Sequence, residues 1–315
     1  MDNPGEPVGG IDYPRTRAEF EDCFGTEAAC RAYLVGVRWP AGFVCPDPAC
    51  AGRRAWPTTR GLDRCVACGR QVSPTAGTIL AGTRKPLRTW LEVLWQLTSE
   101  EGGVSARSLE VGSGFGSYQT AWAWLHKLRR AMAQPEGERL SGLVEVGVAG
   151  FRRIDLGGQA AVAIEVRGAE MGRLRLAHLA NVVPGALQDF LVAAVEPGAT
   201  LRTDIWLADV RIEDLGYRRD PLSSATARSR TWLSLPLVAD VTGRLEAWSI
   251  GTHRGAIRQR QLDAYLAEFA FRFNAREAAP GLAFYRLLER ALATDPTPYA
   301  ALVADRRSAA RFKGR

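Results

Sequence analysis

Four of the six cysteines in this 315-residue chain fall in two close pairs. Four residues separate Cys45 from Cys50, two separate Cys65 from Cys68, and fourteen lie between the pairs. Each close pair lets the backbone fold a knuckle that presents two thiolates. Two knuckles close a tetrahedral Cys₄ shell around Zn²⁺. The spacing therefore predicts a zinc ribbon, with structural zinc on Cys45, Cys50, Cys65 and Cys68. The N-terminal stretch has no basic start, apolar core or small-residue cleavage site, so the chain is expected in a reducing cytosol, where paired cysteines favour metal over a disulfide. Cys23 and Cys30 suit no knuckle and read as small buried apolar residues. No serine, cysteine or histidine constellation for nucleophilic catalysis can be assembled. His126 reads as a phosphate or packing contact, His178 as a strand residue, and His253 as one that approaches a binding partner or orders its loop.

Charge placement is the second chemical signal. The formal net charge is +7 with a pI near 9.3. Arginine outnumbers lysine 38 to 3, a bias that raises arginine everywhere, so only clustering carries information. Residues 51–90 hold Arg53, Arg54, Arg60, Arg64, Arg70, Arg84, Lys85 and Arg88 against Asp63 alone, and the last ten residues add five more cations without an acid. Clustering of this kind is the footprint of phosphate binding. No apolar run approaches the length of a membrane span, so no membrane partner is expected.

The elements that must position these residues can be read from periodicity. Ala29, Tyr33, Leu34 and Val37 form one helical stripe. After the ribbon, Pro86 suits a first helical turn, followed by an apolar face of Leu87, Trp90, Leu91, Leu94 and Trp95. The EEGG run at 100–103 stops that helix, and Ser105 and Ser117 can each cap another. The last of these carries Ala121, Trp122, Leu125, Leu128 and Met132 on its apolar stripe. Tyr118, Gln119, Lys127, Arg129 and Arg130 form its polar, basic remainder. Two short helices about a glycine-rich turn, the second one basic, fit a helix-turn-helix. After a linker at 134–138 the period changes: strands are predicted over 143–151, 159–168, 172–180 and 201–208, with a helix over 183–195. That order is the one expected of an RNase H-like sheet. Residues 218–231 read as a polar loop and 258–275 as an amphipathic helix with an aromatic core stripe.

The expected fold class is thus multi-domain α/β: a zinc ribbon, a helical helix-turn-helix domain and an RNase H-like mixed-sheet domain. Its expected divisions are a helical segment (1–40), the ribbon (41–82), the helix-turn-helix (83–135), the RNase H-like domain (140–277) and a C-terminal helical segment with a basic tail (278–315).

The chain also resembles bacterial insertion-sequence transposases that join these three parts. The resemblance rests on RWPAGFVCP (38–46), TAGTILAGTRKPLRTW (75–90), TAWAWLHKLRRAM (120–132), LVEV (143–146), TDIW (203–206) and GTHRGAIRQRQLDAYLAEFAFRFNARE (251–277). It implies a cytoplasmic, nucleoid-associated protein whose partner is double-stranded DNA at the terminal inverted repeats of an element, with Arg84, Lys85, Arg88, Tyr118, Gln119, Lys127, Arg129 and Arg130 as DNA contacts. A homo-oligomer on DNA is the assembly it allows. It also implies strand transfer by two Mg²⁺ ions held between carboxylates, two aspartates and a third ligand that is glutamate or asparagine. Here the chain departs from the pattern. Gly147 follows the Val-Glu-Val strand where the first aspartate is expected, and Arg244 falls near the third position. Asp204 alone remains. Glu145, on the same strand face as Gly147, and Asp240, one helical turn from Arg244, are the candidate substitutes. The reading is a DNA-binding transposase relative with impaired catalysis, needing Mg²⁺ only if active. Two alternatives stand beside it: an active metal-dependent transposase with relocated ligands, and a non-enzymatic zinc-ribbon and helix-turn-helix transcription regulator.

Overall fold

The computed structural model describes residues 8–9, 11–133, 138–150, 158–168, 170–203, 207, 210–220, 235–254 and 257–303. Asp204, most of the 134–138 linker, residues 221–231 of the expected loop and the basic C-terminal tail lie outside the described residues. The chain forms two compact units, one from Met1–Ala131 with Ala278–Ala304, the other centred on Met132–Glu277.

The first unit opens with α1 (Arg17–Cys23) and α2 (Glu27–Arg38), each capped by a threonine side chain, Thr16 and Thr26. A three-stranded antiparallel sheet follows: β1 (Ala55–Pro57), β2 (Asp63–Cys65) and β3 (Gln71–Val72). Then come α3 (Leu87–Ser99), α4 (Ala106–Gly112) and α5 (Tyr118–Met132). Ser105 caps α4 in a reciprocal box with Ser108, and the Ser117 hydroxyl accepts from the Thr120 amide at the start of α5. Pro86 sits at the cap of α3, one position ahead of the expected first turn. The core is aromatic. Phe20 meets Phe24 and Phe284 edge to face and Trp95 at a tilt, and Trp90 of α3 stacks on Trp124 of α5 at 3.5 Å. The buried tryptophan of α5 is thus Trp124, whereas Trp122, expected in the stripe, is only half-buried and packs near His126 and Tyr299. Cys23 and Cys30 are buried in this core. The later helix α9 (Leu282–Ala293) packs on α2 and α3 and so completes the first unit.

The second unit is built on a five-stranded mixed sheet of β4 (Leu143–Gly150), β5 (Gln159–Arg167), β6 (Glu170–Leu179), β7 (Thr200–Thr203) and β8 (Arg218–Arg219). The spatial order is β6-β5-β4-β7-β8. β6, β5 and β4 run antiparallel to one another, and β7 and β8 add in parallel beyond β4. β8 corrects the sequence reading, which took 218–219 as loop. Parallel addition needs a crossover, and α6 (Pro184–Ala194) supplies it between β6 and β7. Helices cover both faces, which is why β5 reads as a nearly unbroken apolar run. Ala161 and Ala163 face α6, while Ala160, Val162 and Ile164 face α7 (Pro236–His253) and α8 (Leu262–Asn274). A 3₁₀ turn at Gln259–Gln261 precedes α8, so the helix expected over 258–275 starts later.

The long GTH…RFNARE block is explained by packing. His253, at the end of α7, sits 4.8 Å from both Trp248 and Tyr265, ring centre to ring centre, and so orders its loop against α8. Asn274, at the end of α8, accepts from the Leu174 amide at 2.7 Å and donates to the Leu174 carbonyl at 3.0 Å. A carboxamide is the side-chain group that can both donate and accept in this way.

Candidate functional site

The ribbon brings its four sulfurs together. All four Sγ atoms lie within 4.8 Å of one another, with Cys45–Cys68 at 3.7 Å and Cys50–Cys65 at 3.8 Å. Tetrahedral Zn²⁺ with Zn–S bonds of ~2.3 Å requires sulfur–sulfur edges of about 3.8 Å, so the cluster fits a closed structural site. The Cys65 thiol is drawn down to about 7 by the backbone amide of Cys68, with the Ala67 amide helping against burial. The two knuckles depend on glycine. Gly69 adopts φ +73°, and its amide bonds to the Cys65 carbonyl at 2.9 Å. At Gly52 a Cβ would stand 2.6 Å from the Cys65 sulfur. α2 holds the ribbon from below. Arg31 binds the Gly61 carbonyl and the Asp63 carboxylate, and Arg38 binds the carbonyls of Pro74 and Ala76.

The expected DNA contacts of the first unit divide by exposure. Arg84, Tyr118, Gln119 and Arg130 are exposed, with Tyr118 and Gln119 in the first turn of α5. Lys85 donates to the Gly114 carbonyl at 2.7 Å and lies over the Phe115 ring, so it ties down the turn between α4 and α5. Arg88 is bound to Glu21 and to the Phe24 carbonyl. Lys127 is half-buried, and desolvation holds its amine below the usual lysine range. Arg129 is a correction: at 1% exposure its side chain is inside the unit, and no phosphate can reach it there. Helical spacing put it on the polar remainder, but α5 is covered on more of its circumference than one stripe.

In the second unit the acidic residues are bound to the protein itself. Glu145 and Gly147 alternate with Val144 and Val146, so they face the α7 side of β4. Glu145 is fully buried at 0% exposure. Its Oε1 accepts from Arg202 of β7 at 3.4 Å, and its Oε2 accepts from the amides of Leu237 and Val238 at 3.0 and 3.3 Å. α7 has no side-chain cap of its own, and Glu145 supplies one from the sheet. Arg202 also binds Asp220 at 2.8 Å. Asp240 and Arg244 lie on α7 and pair with each other at 3.1 Å on its exposed side. Among the described residues, the four cysteines are the one His/Cys/Asp/Glu group whose ligand atoms converge as a metal requires. Sequence reading passed over Arg202 and Asp220, because a neutralised acid at Glu145 is visible only once β4 and β7 are side by side.

A family model described as a transposase zinc-ribbon domain matches residues 25–71. Its span includes α2, consistent with the arginines that this helix contributes to the ribbon. A second, described as an ISXO2-like transposase domain, matches residues 148–274. No curated protein matches the chain. No helix among the described residues is long and apolar enough to cross a membrane. With a structural zinc ribbon ahead of a mixed α/β sheet, and the two matches together spanning more than half of its length, the chain belongs to the insertion-sequence transposase family and has a transposase-type, DNA-binding function.

Proposed function

We propose that the chain binds the terminal inverted repeats of an insertion element as double-stranded DNA, and that its strand-transfer centre is impaired. Duplex contacts are assigned to the exposed residues Arg84, Tyr118, Gln119 and Arg130, with the first turn of α5 toward the bases. Copies pair on the DNA, in the cytoplasm at the nucleoid. The observation that carries the impaired reading is the double commitment of Glu145. Passing its carboxylate to a cation would leave Arg202 without one of its two acids and the start of α7 without its cap. A two-metal centre needs carboxylates free to bridge ions about 4 Å apart. Gly147 offers none, and Arg244 places a guanidinium where an acid is expected. Asp204 is then a remnant ligand, and Glu145 and Asp240 do not replace the missing two.

Cleavage of a duplex carrying the cognate inverted repeats, in Mg²⁺ or Mn²⁺, tests this. The native chain is expected to bind, with affinity falling steeply in salt, and not to cut. The double variant Gly147→Asp, Arg244→Glu is expected to gain divalent-dependent nicking that Asp204→Ala removes. Robust cutting by the native chain, abolished by Asp204→Ala, would overturn the proposal in favour of an active enzyme with relocated ligands.

A further inference from the structure

The ribbon's outward face carries an arrangement that phosphate binding alone does not account for. In β2 the side chains alternate strictly: Asp63 and Cys65 point inward, and Arg64 points out. Strand pairing sets Trp56 of β1 directly opposite Arg64, and Arg64 opposite Gln71 of β3. Residues two apart share a face, so Arg54 and Val66 join Trp56 and Arg64. Trp56 is 63% exposed and Val66 42%. The groove beside them has a volume of about 380 Å³ and is lined by Phe43, Arg53, Arg54, Ala55, Trp56 and Val66. Its Phe43 wall is fixed by an edge-to-face contact with Trp39 at the end of α2. Among the described residues, Arg53, Arg54, Arg60 and Arg64 are exposed and make no ion pair, whereas Arg70 is held by Asp47 at 2.8 Å.

We propose that this face binds an unpaired stretch of DNA, with a base stacked on Trp56 and its flanking phosphates on Arg53, Arg54 and Arg64. The inference rests on the DNA-binding reading above and adds a form of substrate to it. Four unneutralised guanidiniums select a polyanion. Duplex DNA would satisfy them, but its base faces are covered by their neighbours in the stack, which leaves the indole nothing to lie against. An open groove with an aromatic floor and cationic walls is the arrangement that takes exposed base faces without reading sequence.

Binding of the full-length, zinc-loaded chain to a labelled oligothymidylate of about ten nucleotides and to a blunt duplex, followed by fluorescence anisotropy, tests this. Trp56→Ala is expected to weaken single-strand binding about five- to 150-fold, while duplex affinity changes less than about twofold. Trp56→Phe should restore most of the loss, because stacking needs a ring rather than the indole nitrogen. Zinc content and circular dichroism confirm that each variant is folded. A native chain that binds duplex but ignores the oligonucleotide would overturn the inference, as would a Trp56→Ala loss equal on both DNAs or absent from the single strand. The DNA-binding function would survive those results. A native chain that binds neither DNA would sink both.

Discussion

The ribbon and the sheet each gather charged or ionisable side chains at one point, and they resolve the resulting repulsion in different ways. In the ribbon, four sulfurs sit at the corners of a tetrahedron, and among the described residues no arginine or lysine donates to them to neutralise four thiolates. Only a metal completes that site. In the sheet, Glu145 and Asp220 converge on the Arg202 guanidinium, and Glu145 also meets two backbone amides. That site is already complete. Clustered acids therefore argue for a bound cation only while the protein has not supplied one of its own.

The contrast can be broken most decisively at the zinc. Chelation, or Cys65→Ser, should abolish hydrogen-exchange protection over residues 45–72 while β4, β5 and β6 stay protected. Structural zinc is worth on the order of 10 kcal/mol to a ribbon of this kind. Loss of protection in the sheet as well would mean that the second unit also depends on a metal.

A smaller effect is expected from the opposite manipulation. Glu145→Ala leaves Arg202 short of one acid and α7 uncapped, and should destabilise the second unit by about 3–5 kcal/mol, read from the urea midpoint without added metal. If Mg²⁺ stabilised the native chain and the variant abolished that gain, Glu145 would be a ligand after all.

The smallest effect comes from Glu165. Burial pushes its carboxyl up, but bonds from Arg173 and from the Ser141 and Arg173 amides outweigh this and hold it below its usual value of 4.5. A depressed carboxyl stabilises the fold above its unfolded value, and that contribution is lost as pH falls through the folded one. Stability of the second unit should therefore decline below about pH 4.5, and Glu165→Gln should flatten that part of the profile. An unchanged acid limb in the variant would assign the decline to other groups.

How much of this was legible in the sequence depended on how far apart the partners stand. The four zinc ligands lie within one short stretch, and their spacing announces them. The strands β4 to β7 and the helices α6 and α8 were readable from local periodicity, and so were the serine caps of α4 and α5, whereas β8 and α7 were not. Long-range partners left no such trace. Glu145 finds Arg202 across 57 residues and the start of α7 across 92, so nothing local separates a metal ligand from a buried cap. Arg129 and Trp122 were misplaced for a related reason. A helical stripe gives the most apolar face but not how widely the neighbouring helices cover the rest. Trp56 went unnoticed because a tryptophan between alanine and proline carries no sign of its exposure until β1 pairs with β2.

Asn274 has one more effect, on assembly. β6 is a border strand, and such borders normally offer free amides and carbonyls on which another chain can continue the sheet. At Leu174 both groups are taken by a side chain of the same molecule. Two copies cannot fuse their sheets through that point, so any partnership between them has to be made with side-chain surfaces or through the nucleic acid they share.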